Sequence, residues 1–334
     1  MKVYQSLTEN MLTVNMLLSV FFLPGALADH CGNDIPALNI NTPKYMEALT
    51  GSCLQIPCTY DTENPEYDSS KTIYGVWMKG GVNFGANANL VIFNSSGSIN
   101  KYSLNMTGNL KEKNCTTLFP DIQTSHADKY YFRVENSGYK ATACADPLQI
   151  KVKDSPWRPS INVSSDLKEH QSVTVTCSAF TPCPHSPPEL TWNLQQDSLR
   201  QTEENTDGTF TSKIQENITL SDTHDGYNIC CSARYPVIGG SKTAGTEVTL
   251  SVSYAPRNTS ASISPSGLVS AGSWVELSCS SRAKPVNFTW FRNGIKVSEI
   301  QNYNFIVTEE GEFYCVAKNN LGNETSSRIC VSIK

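Results

Sequence analysis

One arginine in this chain stands where a carboxylate could be captured. The run Asp128-Lys-Tyr-Tyr-Phe-Arg133 alternates as a strand does, so Tyr130 and Phe132 point one way and Arg133 the other. With the two aromatics in a core, Arg133 faces outward. Its planar guanidinium then offers two parallel donors that match a carboxylate. An exposed pair of this kind contributes on the order of 1–3 kcal/mol, so one contact holds weakly and firm attachment needs many at once. The other reading of the same residue is a solvated arginine paired with Glu135.

Other chemistry is hard to find. His30, His126, His170, His185 and His224 are scattered and form no metal-ligand spacing. There is no G-x-S-x-G elbow. Gly239-Gly-Ser-Lys-Thr243 lacks the spacing of a phosphate-binding loop. No acidic cluster suits calcium. Neither catalysis nor a metal nor a cofactor is expected. The net charge of -5 is mild and spread out, without the basic stripe that a nucleic-acid partner would need.

The 12 cysteines speak for an oxidising compartment. Lys2, the apolar run from Met11 to Leu23 and the small residues Ala26 and Ala28 read as a signal peptide over residues 1–28. Eight N-x-S/T sequons agree with export: Asn94, Asn105, Asn114, Asn162, Asn217, Asn258, Asn287 and Asn323. Each marks an exposed position if it carries a glycan. No second apolar run is long enough for a membrane span. An end at Lys334, just past a strand-like segment, fits a secreted form or an ectodomain without its anchor. Either way the expected location is outside the cell.

The elements that would position Arg133 follow from a repeat of Cys, then Trp, then an aromatic-rich strand. Trp77 follows Cys58, Trp192 follows Cys177 and Trp290 follows Cys279. Short alternating strands with this order predict an all-β chain of tandem immunoglobulin-like sandwiches. We expect a V-set domain over 29–153, a C2-type domain over 154–255 and a C2- or I-type domain over 256–334. Linkers are expected near Lys153-Asp-Ser-Pro156 and Tyr254-Ala-Pro-Arg257, where proline interrupts the strand pattern.

Period two also sorts the cysteines. In the third domain, Phe313 stands two before Cys315, at the tyrosine-corner position, so Cys279–Cys315 is the expected inter-sheet disulfide. In the second, Cys231 shares the apolar set of Ile229, Ala233 and Tyr235 and pairs with Cys177, leaving Cys230 outward. In the first, Phe132 occupies the place of the second cysteine. Cys58 keeps its core parity, and its sensible partner is Cys115 on a neighbouring strand of the same sheet. Cys53 has the opposite parity to Cys58. With Cys183 in Thr181-Pro-Cys-Pro-His it suggests an inter-domain bridge, Cys53–Cys183.

This combination resembles the sialic-acid-binding immunoglobulin-type lectins. The similarity lies in Leu49-Thr-Gly-Ser-Cys-Leu-Gln-Ile-Pro-Cys58, Tyr74-Gly-Val-Trp77, Asn114-Cys115-Thr116, Ala127-Asp-Lys-Tyr-Tyr-Phe-Arg-Val-Glu135, Cys177 with Cys183, and His224-Asp-Gly-Tyr-Asn-Ile-Cys-Cys231. It covers the first two domains; the third is generically immunoglobulin-like. The resemblance implies that Arg133 binds the carboxylate of terminal sialic acid, on glycoproteins or glycolipids of the same or an opposing cell. It also implies a role for Tyr139 and Lys140 against the rest of the sugar. Leu38 aligns where a family member has a contacting tryptophan, which thins one wall of the site. Cys31 and Cys144 lie outside the family pattern and would fall on adjacent edge strands, where a Cys31–Cys144 bond fits. Cys230 and Cys330 stay unassigned. The alternative function is adhesion to a protein partner through the same sheet, without lectin activity.

Overall fold

The computed structural model describes residues 38–334 except 83, 85–87 and 195–198. The signal-peptide reading of 1–28 and Cys31 lie outside the described residues. The chain is all-β. Among the described residues, helix is confined to four three-residue 3-10 turns. No described helix is long and apolar enough to cross a membrane. The chain divides into two compact units, which part between Lys153 and Asp154.

The first unit is a sandwich. Its larger sheet runs Tyr45–Leu49, Leu148–Lys153, Asp128–Asn136, Ile73–Lys79, Val91–Asn94 and Ile99–Asn100, and Tyr139–Thr142 also pairs with Asp128–Asn136. The facing sheet holds Leu54–Ile56, Thr117–Phe119 and Asn105–Met106. Alternation fills the space between them. Tyr130, Phe132 and Val134 are fully buried and pack with Trp77, Ile56 and Phe119. The Tyr130 hydroxyl donates to the His126 carbonyl, closing a tyrosine corner before the strand begins. Burial pushes the pKa of that phenol up.

Phe132 stands where an inter-sheet cysteine would be. Its ring lies 5.0 Å from Trp77 and 6.1 Å from Tyr60. Trp77 Nε1 donates across the core to Thr117 Oγ1 at 2.9 Å, and Thr117 Oγ1 donates to the Cys115 carbonyl at 2.8 Å. Packing and one buried hydrogen-bond chain therefore tie the two sheets. One disulfide of this unit runs within a single sheet. Cys58 is bonded to Cys115, with Cα atoms 4.8 Å apart, and the Cys115 amide donates to the Cys58 carbonyl at 2.8 Å.

The second unit contains two sandwiches. In the first, Ser160–Asn162, Ser172–Thr181, Phe210–Thr219 and Leu199–Glu204 face Glu189–Trp192, Asn228–Val237 and Gly240–Thr249. Cys177–Cys231 joins the sheets, with Cα atoms 6.5 Å apart. In the second, Cys279–Cys315 does so at 6.2 Å. The expected linker at Tyr254–Arg257 is not one. A single strand, Val252–Ser264, runs through it, pairing in parallel with Leu167–Lys168 and antiparallel with Trp274–Lys284. Pro256 is accommodated because the ladder shifts register between Tyr254 and Arg257, so its missing N–H breaks no regular rung.

Charged groups fasten this junction. Glu169 is nearly buried. It accepts from the Ala255 amide at 2.6 Å and from Arg257, which also reaches Asp222 at 3.0 Å. Lys284 pairs with Asp225 at 2.7 Å. Burial raises the pKa of Asp225, but Lys284 and the Val252 amide outweigh it and hold the carboxyl below its ordinary value.

Candidate binding site on the first unit

Strand register decides what surrounds Arg133. Asp128–Asn136 pairs with Ile73–Lys79 on one side and Tyr139–Thr142 on the other. On the outer face this gives rows. Glu135 lies between Tyr74 and Lys140, and Arg133 lies between Val76 and Thr142. Tyr131 lies beside Met78. The face is more apolar than alternation suggests. Val76, Met78, Val91 and Tyr131 form a small buried cluster there, with Val82, Phe84 and Ile99 packed against it.

Arg133 is set into this surface with its side chain 14% exposed. Nε donates to Glu135 Oε1 at 2.9 Å, and Nη1 donates to Thr142 Oγ1 at 3.2 Å. The Phe84 ring covers one face of the guanidinium, 4.3 Å from Cζ. Nη2 makes no hydrogen bond among the described residues. The group is thus fixed on three sides and keeps its outer donors for a planar anion. The carboxylate of Glu135 partly cancels its charge, which lowers its pull on a second carboxylate.

Of the residues singled out beside Arg133, Lys140 is exposed and on the same face, next to Glu135. Tyr139 is not. It is 2% exposed and lies in the core, edge-on to Tyr67 at 5.6 Å. The reason is parity. Tyr139 pairs with Asn136, which shares the inner face with Phe132 and Val134, so only Lys140 and Thr142 of its strand face outward. Leu38 likewise belongs to the core cluster and lines no wall of the site. The sequence pattern passed over Phe84 and Thr142. Thr142 was recoverable by counting back from the Ser137-Gly138 turn. Phe84 sits in a glycine- and asparagine-rich loop with no periodicity to place it.

The remaining cysteines sort as follows. Cys53, Cys144 and Cys183 are each disulfide-bonded, while Cys230 and Cys330 are exposed free thiols. Cys231 is buried and Cys230 faces outward on the same strand. No group of three metal-ligating side chains occurs among the described residues.

Comparison with known proteins bears on what this face does. Human sialic acid-binding Ig-like lectin 12 is 23% identical over 311 residues, covering 85% of this chain and 51% of that protein. Human myelin-associated glycoprotein is 24% identical over 300 residues, covering 84% and 46%. Mouse sialic acid-binding Ig-like lectin 10 is 21% identical over 336 residues, covering 91% and 47%. The chain is a homologue of the sialic acid-binding Ig-like lectins. It spans about half the length of these relatives. The immunoglobulin-like sandwiches of this chain agree with the Ig-like names of these lectins. No protein-family model matches the chain. Among solved structures, the full ectodomain (Ig1–Ig3) of mouse nectin-like molecule 4 is similar, at 16% identity and a TM-score of 0.46, covering 87% of this chain and 97% of that one.

Proposed function

We propose that the outer face around Arg133 is a lectin site that captures the carboxylate of terminal sialic acid on glycoproteins or glycolipids outside the cell. The observation that carries this reading is the guanidinium itself. It is held on an outward face by Glu135, Thr142 and Phe84, with Nη2 left without a partner among the described residues. The names of the lectin relatives support the same reading. An end-on carboxylate would take the outer Nη donors as a charge-assisted pair. The Phe84 ring would give the sugar an apolar surface beside the charge, the role the resemblance implies for Tyr139. Lys140 adds a second cation one row away.

A monovalent contact of this size is weak, so adhesion would depend on many copies meeting many glycans. We further propose that Cys53–Cys183 and Cys31–Cys144 complete the disulfide set and that residues 1–28 are removed on export. Peptide mapping without reduction checks both. The function is tested by presenting the whole chain, clustered on an Fc carrier, to sialylated cells before and after sialidase. Binding should require both sialic acid and Arg133. Binding that survives sialidase, or the Arg133→Ala change, would instead mark this face as a site for a protein partner.

A further inference from the structure

The row that holds Arg133 continues past Val76 to the next strand, where Val76 pairs with Asn94. Asn94, Val76, Arg133 and Thr142 therefore lie side by side across four strands on one outer face. Adjacent strands are about 4.8 Å apart, which puts Asn94 roughly 10 Å from Arg133. Asn94 opens the sequon Asn94-Ser95-Ser96. Its Oδ1 accepts from the Ser96 amide at 2.9 Å, while its Nδ2, the atom a glycan would join, makes no hydrogen bond among the described residues. The side chain is partly exposed at the end of its strand.

The other seven sequons do not share this placement. Asn105 lies on the opposite sheet, paired with Leu118, and Asn114 forms a bridge with Thr59 beside the Cys58–Cys115 bond. Asn162, Asn217, Asn258, Asn287 and Asn323 belong to the second unit.

From this geometry we infer that a glycan on Asn94 screens Arg133 and sets how much of the site is open to an incoming sialylated glycan. The inference rests on the lectin reading above. The inner face of the sheet is closed by the core, so an oligosaccharide on Asn94 starts from the outer face, the side from which an incoming sugar reaches Arg133. A bulky, hydrated chain rooted two strands away spans that gap. Its effect is a fractional occupancy. When the site is open only part of the time, the apparent dissociation constant rises in inverse proportion to the open fraction.

The test compares the whole chain with Ser96→Ala, which removes the sequon and leaves Asn94 in place, both made in glycosylating cells. Asn94→Gln serves as the second variant. Each is also made with Arg133→Ala. Peptide mass spectrometry reads occupancy at Asn94, and binding is read on a surface of defined sialosides. We expect Asn94 to be occupied. Both sequon variants should bind about three-fold or more tightly than the parent, the gain expected if the glycan leaves the site open a third of the time or less. That gain should vanish with Arg133→Ala. An unmodified Asn94 overturns the inference. Equal binding of parent and variants, with Arg133 dependence intact, overturns the screen but leaves the lectin reading standing. Absence of any Arg133-dependent binding by parent and variants alike overturns both.

Discussion

In the last sandwich, Cys279 and Cys315 join the two sheets, with Trp290 fully buried in the same cluster. In the first, Cys58 is bonded instead to Cys115, its neighbour within one sheet, and Phe132 fills the vacated position against Trp77 and Tyr60. Both arrangements bury an aromatic next to the tyrosine-corner strand. They differ in what ties the two sheets together at this position, which is a covalent bond in one case and packing of Phe132, with the Trp77–Thr117 hydrogen bond on the neighbouring strand, in the other. The strand that presents Arg133 is therefore held by its ladder, by its core side chains and by the hydrogen bonds of Tyr130 and Asn136 to loop backbone. A site can be built on it without a disulfide anchored in the strand itself.

The sharpest way to break this comparison is to remove each tie. Phe132→Ala should destabilise the first unit by about 3–5 kcal/mol, the range for a buried phenylalanine. Replacing both Cys279 and Cys315 by alanine should cost the last sandwich about 4 kcal/mol, from the loop the bond closes. Denaturant melts of the whole chain, followed by a probe in each unit, would read both. If Phe132→Ala costs less than about 1 kcal/mol, the aromatic is no substitute for the bond.

The two units should also part in acid. Burial, and then the nearby Lys79, push the pKa of His126 below its ordinary value, against a smaller opposing pull from Asp121. The unfolded chain therefore takes up a proton first. The neutral His126, which accepts from the Gln123 amide at 3.0 Å, contributes stability above about pH 6.5 that is lost as pH falls toward the folded-state value. The first unit should melt at lower temperature at pH 5 than at pH 7. His126→Asn should flatten that difference, and an unchanged slope would remove His126 as its source.

The smallest effect concerns Glu135. Glu135→Gln keeps an oxygen for Arg133 Nε but removes the competing charge. Capture of a sialoside should tighten by about two- to five-fold, the size of a surface ion pair. Weaker binding would show that the charge of Glu135 orients the guanidinium more than it competes with the ligand.

Most of this frame was readable from residue spacing. Parity alone put Tyr130 and Phe132 inside and Arg133 outside, and separated Cys231 from Cys230, because a strand has one period and little freedom to depart from it. Two errors have a common cause. The resemblance implies a sugar contact for Tyr139, whereas the register with Asn136 turns it inward. Tyr254–Arg257 was judged by its proline, although a register shift lets the strand continue. In both places the pairing with another strand, and not the type of the residue, decided the outcome. Phe84 was out of reach for a third reason. A loop side chain is placed by the surface it packs on, here Arg133 and the outer-face apolar cluster.

The central claim is that Arg133 holds a sialic-acid carboxylate. Titration of the whole chain with a soluble sialoside, alongside its desialylated counterpart, tests it most directly. The sialoside should bind weakly and the desialylated sugar not at all. Arg133→Ala should lose about five- to a hundred-fold in affinity, the equivalent of one charge-assisted pair, while its melting temperature stays unchanged. Equal binding of the two sugars, or undiminished binding by Arg133→Ala, would contradict the claim.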